Sequence, residues 1–388
     1  MRIAHVSAIP IRLPRDHAAA RGTAGSPTML AGAGRYRWST AYPVLYSVDF
    51  ETALVRVELS DGRVGWGEAQ APLAPEVACT VIEQLLRPAL EAEPFDGSPE
   101  RIAALWERMY ATMRVRGHSG GFMLDAMSGV DLALWDLAGQ LAGLPVAALL
   151  SQAPRRSVPA YLSGTVGGDA RERAAFAARH ADAGIGLVKL YYESDWRDLL
   201  AIADALPAGL AFAVDGLWHL PAADAIAMGR DLDARGARWL ECPLWPEDVA
   251  GHRALAAAIA TPLAVGESYR TVAEMRPFFD IAGRLQPDLG RSGITGFMQI
   301  AAAFSGPLSP HVSIAMGPQI AAAVHVAAAV SNGDLCEYNP AVLETANAFL
   351  VEPLEVVDGR YIVPQTPGLG ITLNARGEAL VNAQAHPR

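Results

Sequence analysis

The sequence predicts an α/β barrel built from a repeated strand–helix unit, joined to a smaller α+β unit. Three observations carry this. Seven polar residues recur at near-even intervals, Lys189, Asp215, Glu241, Glu267, Asp288, His311 and Glu337, in steps of 26, 26, 26, 21, 23 and 26 residues. Each ends a short apolar run, such as Phe-Ala-Val before Asp215, and each precedes a helix-like stretch. A period of about 20 to 50 residues marks a repeated supersecondary unit, and strands alternating with helices imply a parallel sheet. Outside the repeat, residues 50–69 read as a hairpin with an Asp61-Gly62 turn. In a closed eight-stranded barrel the strand ends gather at one face, so these distant residues would converge on one site.

The elements follow in order. Residues 2–13 alternate like a strand, and the hairpin strands are 52–59 and 64–68. Helical periodicity occupies 75–92 and 99–113, the second starting at Ser98-Pro99. Residues 1–125 thus form the α+β unit. Its insert at 14–46 is rich in Gly and Ala and carries Arg15, Arg21, Arg35, Arg37, Tyr36 and Trp38. A loop this long in a compact protein is usually functional or disordered. It reads as a lid whose arginines, Arg21 and Arg37 among them, could grip a distal carboxylate. The alternative is a mobile loop or an oligomer contact. The barrel occupies 126–349. It opens with a helix at 121–143, ended by Gly143, and its first strand is 158–162. Ala-rich helices with apolar stripes fall at 171–184, 221–235, 248–259, 271–282, 292–303 and 317–330. Residues 350–388, with turns at Asp358-Gly359 and Pro367-Gly368, are expected to rejoin the first unit.

Of the 388 residues, 51% are apolar and 19% charged, which fits a large core and argues against disorder. The net charge of −10, with no basic block, argues against nucleic acid and anionic membrane as partners. An anionic substrate would need a local positive centre, such as a metal. Cys79, Cys242 and Cys336 form no framework or metal spacing, which fits a reducing, cytoplasmic setting. Cys242 and Cys336 adjoin glutamates on predicted strands, so alternation turns them from the barrel interior. The start, Met-Arg-Ile-Ala-His-Val-Ser, reads as a strand rather than a signal peptide. The most apolar run, 320–330, is too short to span a bilayer and carries His325, expected to be structural.

Asp215, Glu241 and Glu267 end three consecutive strands. Carboxylates gathered at one spot repel unless a cation holds them, and an all-oxygen set suits Mg²⁺, with Mn²⁺ as the alternative. Lys189 and Tyr191, two apart on a strand, share a face. Asp288 and His311 end neighbouring strands, so the carboxylate can orient the imidazole as a general base. Glu337 would face the metal across the barrel. A carbon acid beside a carboxylate is too weak for any side chain to deprotonate unaided. A divalent ion and an ammonium on the carboxylate oxygens would stabilise the enediolate. His219, four residues beyond Asp215, is close enough to a strand end to touch substrate.

These residues resemble the enolase superfamily in its mandelate racemase subgroup. The resemblance rests on Val188-Lys189-Leu190-Tyr191, Ala213-Val214-Asp215, Trp239-Leu240-Glu241-Cys242-Pro243, Val265-Gly266-Glu267, Gln286-Pro287-Asp288, Pro310-His311 and Glu337. The helix Asp131-Leu132-Ala133-Leu134-Trp135-Asp136-Leu137 and the closing Pro367-Gly368-Leu369-Gly370 add to it. It implies a modified TIM barrel, (β/α)7β, with an α+β capping domain formed by the N-terminal region and the C-terminal tail. It also implies a bound Mg²⁺, a symmetric homo-oligomer (octamer or dimer), and abstraction of the proton α to a carboxylate. Asp215, Glu241 and Glu267 take the metal-ligand positions, His311 with Asp288 the dyad, Lys189 the first lysine of a Lys-x-Lys pair, and Glu337 the strand-eight acid.

The chain departs from the family pattern twice. Tyr191 replaces the second lysine, the usual base opposite His311, and Leu217 replaces a common asparagine. With an ordinary imidazole near 6.5 and a phenol near 10 brought down by Lys189, the two acid–base groups are unequal. That asymmetry suits elimination better than two-base racemisation. The expected activity is therefore dehydration of a sugar acid (aldonate or aldarate, galactarate-like) to a 2-keto-3-deoxy acid. The alternatives are a racemase, epimerase or cycloisomerase, and a metal-binding pseudoenzyme. The last would be expected to have lost Lys189 or His311, and both are present.

Overall fold

The computed structural model describes residues 1–14, 30–40, 42–193 and 195–385. The first sheet is antiparallel. Strand β1 (Ile3–Pro14) pairs along its length with β5 (Asp49–Leu59), which pairs with β6 (Val64–Ala69) through the turn at Gly62. Within the insert, β2 (Leu30–Ala31), β3 (Tyr36–Ser39) and β4 (Leu45–Ser47) form a separate small sheet. Much of the 14–46 insert, Arg15 and Arg21 included, lies outside the described residues, and the lid expectation lies there with it.

Six parallel strands follow in sequence order: β7 (Ser157–Ser163), β8 (Leu187–Tyr191), β9 (Ala211–Asp215), β10 (Leu240–Glu241), β11 (Leu263–Val265) and β12 (Ala282–Leu285). The seventh position is irregular. Pro307 and Pro310 remove two N–H donors there, so no ladder forms. Isolated bridges hold it instead: on one side Leu285 N–H donates to the Pro307 carbonyl at 3.1 Å, Ser309 N–H to the Leu285 carbonyl at 3.0 Å and His311 N–H to the Pro287 carbonyl at 3.1 Å, and on the other Leu308 N–H donates to the Asn332 carbonyl at 2.8 Å and Asp334 N–H to the Leu308 carbonyl at 3.2 Å. Strand β13 (Cys336–Tyr338) pairs in parallel with β7 and closes the cylinder. The architecture is an α/β TIM barrel with an N-terminal capping domain. Among the described residues four helices lie beyond the sequence reading, Val146–Leu150, Trp196–Asp204, Pro340–Asn347 and Ala375–Ala385. The stretch expected to be helical over 271–282 is shortened to Val272–Met275 plus one tighter turn containing Pro277.

The tail divides. Its hairpin, β14 (Val356–Val357) and β15 (Arg360–Ile362), extends β7 antiparallel rather than returning to the cap. The final helix, Ala375–Ala385, does reach β1, where Gln384 exchanges two 2.8 Å hydrogen bonds with the Arg12 backbone.

Helix Phe122–Ala142 joins the two layers. It is apolar on nearly every face, as expected for a helix enclosed on all sides. One side packs on β5 and β6, the other on helix Leu289–Ala303. The approach to β6 is so close that a Cβ on Gly67 would overlap the Gly129 carbonyl oxygen. Polar groups pin the second contact. Asp131 is fully buried and accepts from Thr295 N–H at 2.9 Å and from the Thr295 hydroxyl, while Trp135 Nε1 donates to the same hydroxyl at 3.0 Å. Asp125 takes both arms of the Arg270 guanidinium at 2.9 and 3.0 Å, and Arg291 approaches to 3.6 Å as an interdomain residue. His325 is structural as expected, bonded to Ala147 N and the Leu369 carbonyl.

Burial pushes the Asp131 carboxyl up to about 7, against the hydrogen bonds from Thr295. The folded chain therefore holds a proton that the unfolded chain has lost above the usual value of about 3.9. Stability from this group falls as pH rises through that window. Asp131→Asn cannot ionise. Its melting temperature relative to the parent should rise between about pH 5 and about pH 8. A pH-independent difference would refute the assignment.

Candidate active site

The polar strand ends converge at the barrel mouth. The Lys189 ammonium, 1% exposed, lies 2.6 Å from Glu241 Oε1, 2.8 Å from Glu337 Oε1 and 3.5 Å from Asp215 Oδ2. His311 Nδ1 meets Asp288 Oδ2 at 2.7 Å, and its Nε2 lies 3.0 Å from Glu267 Oε2 and 3.8 Å from Glu337 Oε2. The Tyr191 hydroxyl reaches Ser163 Oγ at 2.7 Å, and Ser163 donates to Glu337 Oε1. All seven residues of the repeat, together with Tyr191, thus belong to one connected polar network.

Local sequence explains several of these positions. Asp288 caps helix Leu289–Ala303 through Oδ1, which accepts from Gly290 N–H at 2.7 Å, and this leaves Oδ2 for the imidazole. Gln319 Nε2 donates to the same Oδ1 at 3.0 Å. Asp215 stands directly across from Tyr191 on one side and Glu241 on the other. Beyond the ends of β9 and β10 the backbone turns left-handed at Leu217, Trp218 and Cys242, with φ of 55°, 64° and 44°. For non-glycine residues each such conformation costs roughly 1–3 kcal/mol and tends to cluster at functional sites. At Cys242 it also breaks the alternation expected to turn the thiol away. Its Sγ and one oxygen from each of Glu241 and Glu267 lie within 4.8 Å of one another.

The charges are unbalanced. Burial raises Asp215 well above the usual carboxylate range, helped by Glu241 and Glu267 and only partly offset by Lys189. Glu241 is raised for the same reasons, although Lys189 touches it. Burial works against the Lys189 ammonium, but Glu241 and Glu337 outweigh it and the group is held charged. The partners move in different senses because one ammonium serves three carboxylates. Burial acts to raise Glu267, yet the neighbouring imidazole holds it down at about 2. Burial likewise opposes ionisation of Glu337, and Lys189 and His311 overcome it.

Two expectations need correction. Burial lowers the affinity of His311 for a proton, but Glu337, Glu267 and Asp288 together raise it well above its ordinary value. Among these carboxylates the imidazole holds its proton more tightly than an ordinary histidine. Tyr191 moves upward, not downward. Desolvation dominates, Glu337 and Asp215 add to it, and Lys189 offsets only part because its charge is committed to the carboxylates.

The residues fit a hard divalent cation. Glu241 and Glu267 bring one oxygen each within 4.8 Å, Asp215 stands across from Glu241 on the neighbouring strand, and Asp215 and Glu241 are raised by burial with too little positive charge nearby. The Cys242 thiol is pushed well up by burial, so it stays neutral and soft and competes poorly with carboxylate oxygen.

His219 lies beside the mouth, its ring between Tyr42 at 5.3 Å and Tyr192 at 5.5 Å between centroids, with Nδ1 at the Leu217 carbonyl. Arg37 donates to the Gly34 carbonyl in its own turn, and no described contact takes it to the mouth. Several polar residues at the site, Gln319 among them, were given no role by the sequence reading. Ser163 obeys the same strand-end rule but falls one residue past the expected end of the first strand. Gln286, which donates to Glu241 at 2.8 Å, lies two residues before Asp288 and so shares its face. Trp239 and Trp218 present indole N–H groups to Glu241 and Glu267 at 3.0 and 2.6 Å, and indoles in apolar runs give no such signal.

Comparison with known proteins gives the class. Residues 38–151 match the mandelate racemase / muconate lactonizing enzyme N-terminal domain, and residues 172–377 match the enolase C-terminal domain-like family. The chain belongs to the enolase superfamily, in its mandelate racemase subgroup. Among its relatives, D-galactarolactone cycloisomerase of Agrobacterium fabrum is 32% identical over 83% of this chain and 88% of that protein. Arabinonate dehydratase of Saccharolobus solfataricus is 30% identical over the same shares. A structure from Sinorhizobium meliloti, provisionally named an isomerase, has a TM-score of 0.91 at 32% identity, covering 98% of this chain and 99% of that one. L-talarate dehydratase from Polaromonas sp. JS666, solved with Mg and L-glucarate, has a TM-score of 0.78 at 27% identity, covering 98% and 97%. No helix among the described residues is long and apolar enough to cross a membrane.

The Lys189 cluster makes a prediction of its own. Lys189→Met leaves buried carboxylates without their cation and should cost about 3–5 kcal/mol at neutral pH in chelator. The cost should shrink on acidification, because Asp215 and Glu241 accept protons readily. Urea unfolding at two pH values measures it, and unchanged stability at neutral pH would contradict the charge assignment.

Proposed function

We propose that the protein is a Mg²⁺-dependent dehydratase of a sugar acid, a lyase that forms a 2-keto-3-deoxy acid. The observation that carries this reading is the inequality of the two acid–base groups. His311 is backed by Asp288 at 2.7 Å, while Tyr191 is a phenol with raised proton affinity. Two matched bases, as racemisation needs, are lacking in that pair. Relatives named as dehydratases of arabinonate and of L-talarate/galactarate support the substrate class.

Held by Asp215, Glu241 and Glu267, the cation would polarise the substrate carboxylate and take up the negative charge that now fixes the His311 proton. His311, with Nδ1 fixed on Asp288, would release its Nε2 proton to solvent once Glu267 is engaged by the cation, and Nε2 would then take the α-proton. The C–H electron pair would move into the carboxylate, giving an enediolate, and then return to form the Cα–Cβ double bond as the Cβ–O bond breaks. The leaving oxygen takes a proton from imidazolium and departs as water. The enol then gains a proton at Cβ as its hydroxyl becomes the 2-keto group. Lys189 places positive charge where the carboxylate oxygens gather electrons. Tyr191 stays protonated and donates a hydrogen bond, oriented by Ser163 and Glu337. His219 and the arginines of the insert, Arg21 and Arg37, remain candidates for binding the distal end of the substrate.

A library of sugar acids assayed with semicarbazide for new 2-keto acid tests the reaction. EDTA should abolish product and Mg²⁺ restore it, and Glu241→Gln should fold without activity. His311→Asn should abolish turnover, and Tyr191→Phe should lower kcat by about 10²-fold. The second reading, a cycloisomerase, is favoured by the Agrobacterium relative. Turnover of a sugar lactone with no keto acid from any open-chain acid would select it.

A further inference from the structure

The loop after Asp215 carries an apolar residue, Leu217, and then an indole that points back into the site. Trp218 Nε1 donates to Glu267 Oε1 at 2.6 Å, and His311 Nε2 occupies the other oxygen at 3.0 Å. Both oxygens of Glu267 are thereby oriented. Reaching this position requires two consecutive non-glycine residues in the left-handed region, Leu217 and Trp218. The loop is held there by Leu217 N–H on Asp215 Oδ1 at 3.0 Å, by Trp218 N–H on the Cys242 carbonyl, and by Leu220 N–H on the Pro243 carbonyl. Edge contacts to Tyr269 and His252, at 5.9 and 6.1 Å between centroids, fix the ring. Such strain persists only where its surroundings over-determine it.

We propose that Trp218 is a positioning residue for the cation site, its indole N–H holding the Glu267 carboxylate in the orientation a divalent cation takes up. The proposal rests on the reading of Asp215, Glu241 and Glu267 as the cation-binding set. An indole N–H is a donor only, so it orients a carboxylate without competing as a ligand. Partners of this kind typically contribute about 10–100-fold in metal affinity.

Calorimetric titration of the full chain with Mg²⁺ tests it, together with ¹⁵N spectra of the indole groups. The parent should bind Mg²⁺, and Glu267→Gln should not. Trp218→Phe, which keeps an aromatic ring, should bind about 10–100-fold more weakly. Trp245→Phe, at an exposed position, should bind like the parent. The Trp218 indole resonance of the parent should move on Mg²⁺ saturation. It is assigned through Trp218→Phe, or through Trp218→Tyr should the first fail to fold. Unchanged affinity in Trp218→Phe, or an indole resonance that stays still, overturns the positioning role while leaving the carboxylate reading intact. Absence of Mg²⁺ binding in the parent overturns both.

Discussion

A single buried ammonium ties the barrel mouth together. Lys189 rises from the second strand and meets carboxylates from the third, fourth and eighth. Stripping an ammonium of water is costly, and only charged partners at hydrogen-bond distance offset it. Those partners come from strands far apart in sequence, so the site cannot assemble before the barrel closes. Through Glu337 and Ser163 the same network reaches the first strand, where β13 completes the cylinder. Geometry and topology are one constraint here.

The cap is part of that constraint. Glu68 on β6 is fully buried and accepts from Met316 N–H at 2.6 Å, Gln319 N–H at 3.2 Å and the Thr52 hydroxyl at 2.9 Å. Gln319 in turn bonds Asp288, which holds His311. A cap residue is thus linked to the imidazole through one glutamine. Burial pushes the Glu68 carboxyl up to about 7 despite these donors. The cap does more than cover the opening, because it fixes the segment that follows the seventh strand position.

Much of this was legible from spacing, since a strand end in a barrel has only one place to go. The rule located Asp215, Glu241, Glu267 and Glu337 without knowledge of any contact. It faltered where local backbone departs from the ideal. Pro307 and Pro310 turned the seventh strand into isolated bridges, and the left-handed Cys242 reversed an argument from alternation. The directions of the proton affinities were also illegible. Tyr191 sits two residues from Lys189, which reads as activation, yet the lysine's charge is committed to Glu241 and Glu337. Sequence neighbours reveal which charges are near, and only the folded contacts reveal which are already committed.

The charge balance orders the events at the site. Asp215, Glu241, Glu267, Asp288 and Glu337 face one ammonium and one imidazole. An organic anion entering alone would meet net negative charge. At about 4 Å and an effective dielectric of about 20, each unbalanced like charge repels by about 4 kcal/mol. A divalent cation settling among the three strand-end carboxylates would cancel most of that charge and loosen the hold of Glu267 on His311. On the proposed reading, cation binding therefore comes before the acid, and the imidazole is freed for its chemistry by the same event that lessens the repulsion of the substrate and offers its carboxylate a local positive centre.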